Sequence, residues 1–151
     1  MSNVIEVDSR QVLKTFSDLT SKQQKKVYRD SLRKAANILT KETRKNLKGV
    51  VKSITSKNRW NGKTLSSGVK VKVDREATEA KVHIMGDFRL KFLELGTSPR
   101  YLRKNNAYRG KNTASYFFRR ARSSKEGEVF NKLDNLITQS IQRVANGNRN
   151  R

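Results

Sequence analysis

The sequence predicts an α+β domain, with a long N-terminal helix and C-terminal helices packed on a small antiparallel sheet. Three observations carry this. Apolar residues recur at helical spacing from Tyr28 to Leu47. Valines alternate with lysines over 69–73, and Val82 and Ile84 flank His83 in the same way. Helical spacing returns between Val129 and Val144. The 151 residues fit one domain and can bury a core, though not a large one. Residues 1–147 are expected to form that domain, with a basic loop at about 98–112, and residues 148–151 to form a disordered basic tail.

Near the start, Val4, Ile5 and Val7 suit a short strand, and Asp8 or Ser9 can cap a helix through Val12, Leu13, Phe16 and Leu19. Thr20 or Ser21 offers a second cap, for a long helix with Tyr28, Leu32, Ala35, Leu39 and Leu47 on one face and basic residues on the others. Gly49 is the expected stop, because glycine enters the left-handed conformation without a Cβ clash. Residues 50–68 read as loop, with Asn61-Gly62 and Gly68 as turn signals. A hairpin follows, with one buried and one cationic face, turning through "DREATEA". "DFRLKFLELG" suits either a strand or two helical turns. Beyond the basic loop, "TASYFFRRA" opens a helix capped near Thr113, with Tyr116–Phe118 placed in the core. A second amphipathic stretch carries Val129, Phe130, Leu133, Leu136, Ile137, Ile141 and Val144 on its apolar side, and Gly147 is its expected end.

Composition narrows the function. A net charge of +22 repels copies of the chain and attracts polyanions, so nucleic acid or an acidic protein surface is the expected neighbour. The absence of cysteine excludes disulfides and the usual structural zinc sites. No run of about 18 apolar residues exists to span a membrane, and "MSNVIEVDSR" lacks the pattern of a signal peptide. A cytoplasmic setting is expected.

Enzyme chemistry needs tuned titratable groups held close together. The single histidine, His83, alternates with Val82 and Ile84 and so points away from their shared face. The acids are scattered, and no metal-ligand or paired-carboxylate pattern appears. Gly62-Lys63-Thr64 matches only the end of a P-loop: position 57 is Lys, no strand precedes, and a hairpin follows. No catalytic residue, metal or cofactor is therefore expected. Trp60, beside Arg59, could stack on a base, anchor a protein interface or cover the core.

The charge is the strongest signal. Residues 41–72 hold ten Lys or Arg against one acid, Glu42, whereas soluble proteins normally interleave signs. Residues 98–112 carry Arg100, Arg103, Lys104, Arg109 and Lys111 and no acid, so they are expected to face a partner or DNA. No sequence-reading motif accompanies them, which favours contact with the phosphate backbone alone. The loop begins just after "FLELGT". There Glu94 has two readings, a local salt bridge or hydrogen bond, or an acceptor that fixes the Gly96-Thr97 turn and aims the loop at a neighbouring subunit; a catalytic role lacks a partner acid or base. Gly96 is expected to hold a conformation closed to residues with a Cβ.

"FLELGT" (Phe92 to Thr97) and "YFFRRA" (Tyr116 to Ala121), set after a hairpin and separated by a loop, resemble a family of tailed-phage proteins. These are the minor tail or tail completion proteins of the head–tail junction. "NGKTLSSGVKVKV" and the helix "SLRKAANILTKETRKN" are similar to further parts of that family, so the resemblance spans about residues 12–144. The chain departs from it in having Ser115 near the family's usual proline, and in the length of its basic loop. The resemblance implies a structural virion protein. It would assemble in the host cytoplasm into a sixfold homo-oligomeric ring between head and tail. Its neighbours would be the head connector or stopper and the tail terminator or tail tube, with phage DNA passing through the lumen. The alternative is a cellular, sequence-nonspecific nucleic-acid-binding protein of the ribosome or nucleoid. An enzyme of nucleic-acid metabolism is the weakest reading.

Overall fold

Helix α1 (Ser21–Lys48) is the scaffold of the fold in the computed structural model, which describes residues 21–149. The strand expected at Val4–Val7 and the helix expected through Val12–Leu19 lie outside the described residues. Lys45 and Lys48 occupy the last turn of α1, where cations complement the negative end of the helix dipole. The helix stops before Gly49, but Gly49 does not take a positive φ; Gly62, Gly96 and Gly110 do.

The buried stripe of α1 is built largely of small residues: Ser31, Ala35, Ala36, Thr40 and Thr43, with Leu47 at its end. Tyr28, Leu32 and Leu39, expected on the core face, are only half-buried. Small side chains let neighbouring elements approach the helix closely. The two buried threonine hydroxyls are satisfied within the helix, Thr40 Oγ1 donating to the Ala36 carbonyl (3.2 Å) and Thr43 Oγ1 to that of Leu39 (2.7 Å).

The segment after α1 folds back along it and ends in a 3₁₀ turn, Ser66–Gly68. Arg44 anchors this return, donating from Nε to the Ser66 carbonyl and from Nη2 to that of Val69. Strands β1 (Lys70–Val73) and β2 (Ala80–His83) then pair antiparallel, Val71 opposite Val82 and Lys70 opposite His83. One face therefore carries Lys70, Lys72, Lys81 and His83, as the alternation predicts. His83 is half-buried, and its Nδ1 is enclosed without a hydrogen-bond partner. The connecting turn is held by Asp74, whose carboxylate accepts from the Thr78 and Glu79 N–H groups and the Thr78 hydroxyl. An ion pair from Lys25 to Glu76, and an Arg29 hydrogen bond to the Arg75 carbonyl, pin this turn to the first half of α1.

Gly68 and Gly86 meet where the hairpin closes. The Gly86 N–H donates to the Gly68 carbonyl (3.1 Å), and a Cβ on Gly68 would lie 2.9 Å from the Asp87 nitrogen. Helix α2 (Arg89–Leu95) follows directly, so "DFRLKFLELG" resolves as helix. The next segment contains β3 (Arg100–Tyr101) and β4 (Tyr108–Gly110), a second two-stranded antiparallel sheet. The expected basic loop is thus a hairpin. Helix α3 (Phe117–Arg149) closes the described chain and packs along α1.

Two expected boundaries change. The two C-terminal stretches form one continuous helix, which begins at Phe117 rather than after a Thr113 cap. Gly147 does not end it, and the tail expected from 148 is helical through Arg149. Exposed Gly127 sits inside the helix.

Leu47, Ile54, Leu65, Val69, Ile84, Leu90 and Phe117 form the core, flanked by Val50, Val51, Val82, Leu93 and Phe118. Of the aromatic triplet only Phe117 is fully buried; Tyr116 is exposed. Phe130, expected on the apolar side of its helix, is also exposed. The architecture is α+β, with long N- and C-terminal helices and small antiparallel sheets.

Candidate functional site

The C-terminal end of α2 and the N-terminal end of α3 meet, and each satisfies the other's orphan backbone groups. The Leu93 carbonyl accepts from the Ser115 N–H (3.0 Å) and Oγ (2.7 Å). The Glu94 carbonyl accepts from the Tyr116 N–H (3.1 Å). In return the buried Glu94 carboxylate accepts from the Phe118 N–H (2.9 Å) and the Arg119 N–H (3.1 Å).

This exchange answers a local electrostatic problem. Helix α3 has no acid in its first turn and instead carries Arg119 and Arg120 beside its positive dipole end. Glu94 supplies the missing negative charge from 24 residues upstream. The Arg119 guanidinium lies 5.1 Å from the centre of the Tyr116 ring, a cation–π contact that turns it outward. Tyr116 itself holds φ at +50° at the last position before the helix, so the chain enters α3 through a sharp bend.

Glu94 therefore does not hold the Gly96-Thr97 turn, as the sequence suggested, and forms no ion pair among the described residues. The turn is held by the backbone. Gly96 has φ +74°, and its N–H donates to the Phe92 carbonyl (2.9 Å). A Cβ there would sit 2.7 Å from the Asn112 oxygen and 2.8 Å from the Ala114 nitrogen. Thr97 closes the base of the hairpin: its N–H donates to the Asn112 carbonyl, and its Oγ1 accepts from the Asn112 N–H, both at 2.9 Å.

From this clasp the β3–β4 hairpin extends. Its tip is fastened by the Leu102 N–H to the Ala107 carbonyl (2.9 Å) and the Asn106 N–H to the Leu102 carbonyl (2.8 Å). Tyr101 and Tyr108 face each other, rings 5.6 Å apart, and both are more than half exposed. Arg100, Arg103, Lys104, Arg109 and Lys111 are all exposed, and none belongs to an ion pair among the described residues.

No family model, curated protein or solved structure matches this chain.

Trp60 stands apart from this junction. Its backbone N–H donates to Asn58 Oδ1 in a turn closed by the Gly62 N–H on the Asn58 carbonyl, and the residue is 96% exposed. Cover for the core is thereby excluded as its role. Asp87, which sequence reasoning passed over, is the most enclosed acid among the described residues. Its carboxylate takes a bidentate pair from Arg89, Nε to Oδ1 at 2.9 Å and Nη2 to Oδ2 at 2.6 Å, plus the Arg89 N–H at 3.0 Å. These hydrogen bonds hold its pKa below the ordinary 3.8 against the opposing effect of burial. The pair braces the start of α2. Among the described residues no group of three His, Asp or Glu could hold a metal ion, and no helix is long and apolar enough to cross a membrane.

Proposed function

We propose that this protein is a structural virion component of a tailed phage, a head–tail joining or tail completion protein acting as a homo-oligomeric ring through which DNA passes. One observation carries the reading. The two segments that resemble that family, Phe92–Thr97 and Tyr116–Ala121, interlock through Glu94 and frame a projecting hairpin. Such a junction sets the direction of the hairpin, and a ring repeats one direction in every subunit.

A second feature supports assembly. Phe88, Phe92 and Leu95 lie along the outer side of α2, and with Met85 they leave an apolar strip exposed on a very polar protein. Phe88 and Phe92 pack edge to face, ring centres 6.3 Å apart. Exposed apolar patches of this kind mark contact surfaces. The ring would bind the head connector or stopper on one side and the tail terminator or tail tube on the other.

Deleting the gene from the phage that encodes it should give DNA-filled heads and separate tails by electron microscopy, with joining restored by a plasmid copy. Normal numbers of joined, infectious particles without the protein would overturn the proposal. The second reading, a cellular sequence-nonspecific nucleic-acid-binding protein, draws on exposed Trp60 between Arg59 and Lys63. Co-purification with ribosomes or nucleoids from uninfected cells would favour it.

A further inference from the structure

We infer that the β3–β4 hairpin is the DNA-contacting element of this protein, gripping the phosphate backbone of duplex DNA without reading sequence. The inference rests on the proposed function in placing DNA beside the protein, and goes beyond it in choosing one element among many basic surfaces.

Three observations select the hairpin. First, its cations are uncommitted. Some basic residues of the fold are used internally, Lys25 with Glu76, Arg89 with Asp87, and Arg29 and Arg44 on backbone carbonyls, and the remaining cations of α1 share their helix with Asp30 and Glu42. Among the described residues Arg100, Arg103, Lys104 and Arg109 have no such acceptor, and the hairpin contains no acid. Second, β3 and β4 pack chiefly on each other, so both sides of the ribbon are open. A two-stranded ribbon is narrow enough to enter the major groove of B-DNA. Third, the ribbon is braced. The Thr97–Asn112 clasp fixes its base, and the Tyr101–Tyr108 pair fixes its middle, so arginines along the strands and at the tip keep their spacing. The two exposed tyrosine hydroxyls add neutral phosphate donors. An acidic protein surface is the competing occupant. Apart from Tyr101 and Tyr108, every exposed side chain of the strands and tip is Arg, Lys or Asn, with no acid among them, which favours the polyanion.

The test compares two variants of equal charge in the full chain. One carries Arg100→Ala, Arg103→Ala, Lys104→Ala and Arg109→Ala. The other carries Lys22→Ala, Lys26→Ala, Arg33→Ala and Lys34→Ala on the exposed side of α1. Binding to a mixed-sequence DNA duplex is measured across a salt series. Each lost phosphate contact should reduce the slope of log affinity against log salt by about 0.9. The hairpin variant should therefore lose about 3 to 4 from its slope, and the α1 variant less than about 1. Replacing the three arginines by lysine should keep the slope, which separates lost charge from a collapsed hairpin. Equal losses from both quadruple variants, or an unchanged slope in the hairpin variant, overturn the inference. Either result leaves the ring proposal standing, since that is decided by counting joined particles.

Discussion

Glu94 shows how one side chain can join two elements. Its carboxylate holds two N–H groups at a helix end whose own first turn offers only cations. Glu94→Ala should destabilise the protein by about 2 kcal/mol, the combined scale of a lost cap and stranded donors. Glu94→Gln keeps one acceptor oxygen and should cost about half as much. Urea unfolding would measure both, and equal costs for the two would mean that the carboxylate is not acting as a cap. Asp87 makes a prediction about pH. Its folded-state pKa lies below the ordinary 3.8, so its contribution is complete above that value and is lost as pH falls through the lower, folded value. Asp74 is shifted in the same direction, first by the Glu79 N–H and then by the Thr78 hydroxyl. Asp87→Asn should therefore lower stability at neutral pH and flatten the loss of stability below about pH 4. A thermal-melt series from pH 7 to pH 2.5 would check it; an acid limb as steep as that of the parent would remove Asp87 from the account.

At the scale of elements, two glycines behave oppositely. Gly96 terminates α2 at positive φ, with no room for a Cβ beside Asn112 and Ala114. Gly96→Val should cost about 1–3 kcal/mol in local strain, which the chain can relieve by redirecting the β3–β4 hairpin. The variant should keep a near-normal circular dichroism spectrum and yet fail to complement joining of heads to tails. Normal infectivity would show the hairpin's direction to be unimportant. Gly127 lies in the interior of α3 with open space where a Cβ would stand. Gly127→Ala should stabilise the protein by about 0.5–1 kcal/mol, because alanine loses less backbone freedom on entering a helix. A lowered melting temperature would contradict this and point to a bend in α3 that needs the glycine.

At the scale of the whole molecule, charge dominates. At +22, identical copies repel one another through solvent, and the repulsion is screened beyond about 8 Å at physiological salt. The apolar strip on α2 must overcome this for a ring to close. We therefore expect the free protein to be monomeric or weakly associated at low salt, and to assemble when partner rings or DNA neutralise it. Light scattering across a salt series would decide. A stable hexamer at low salt would show an interface strong enough to need no help.

Much of this molecule is written locally. The spacing from Tyr28 to Leu47 dictates α1, because apolar and small residues at that period can reach only one side of a helix. The Val-Lys alternation dictates the β1–β2 register, because one slip would bury the lysines. The net charge likewise follows from composition. The helical choice for 89–95, the start of α3 at Phe117 and the structure of 98–112 are not written locally. Thr113 looked like the cap of α3, yet its cap is a carboxylate from another helix. Glu94 looked like the keeper of its own turn, yet the turn is kept by Thr97 and Asn112. Hydrogen bonds between residues 15 to 25 apart leave no periodic trace, since each needs only one donor and one acceptor brought together by the packing of other elements. Sequence thus determined the long helix α1, the first hairpin and the cationic character. Only the tertiary structure decided which acid caps which helix, and so where the basic hairpin stands.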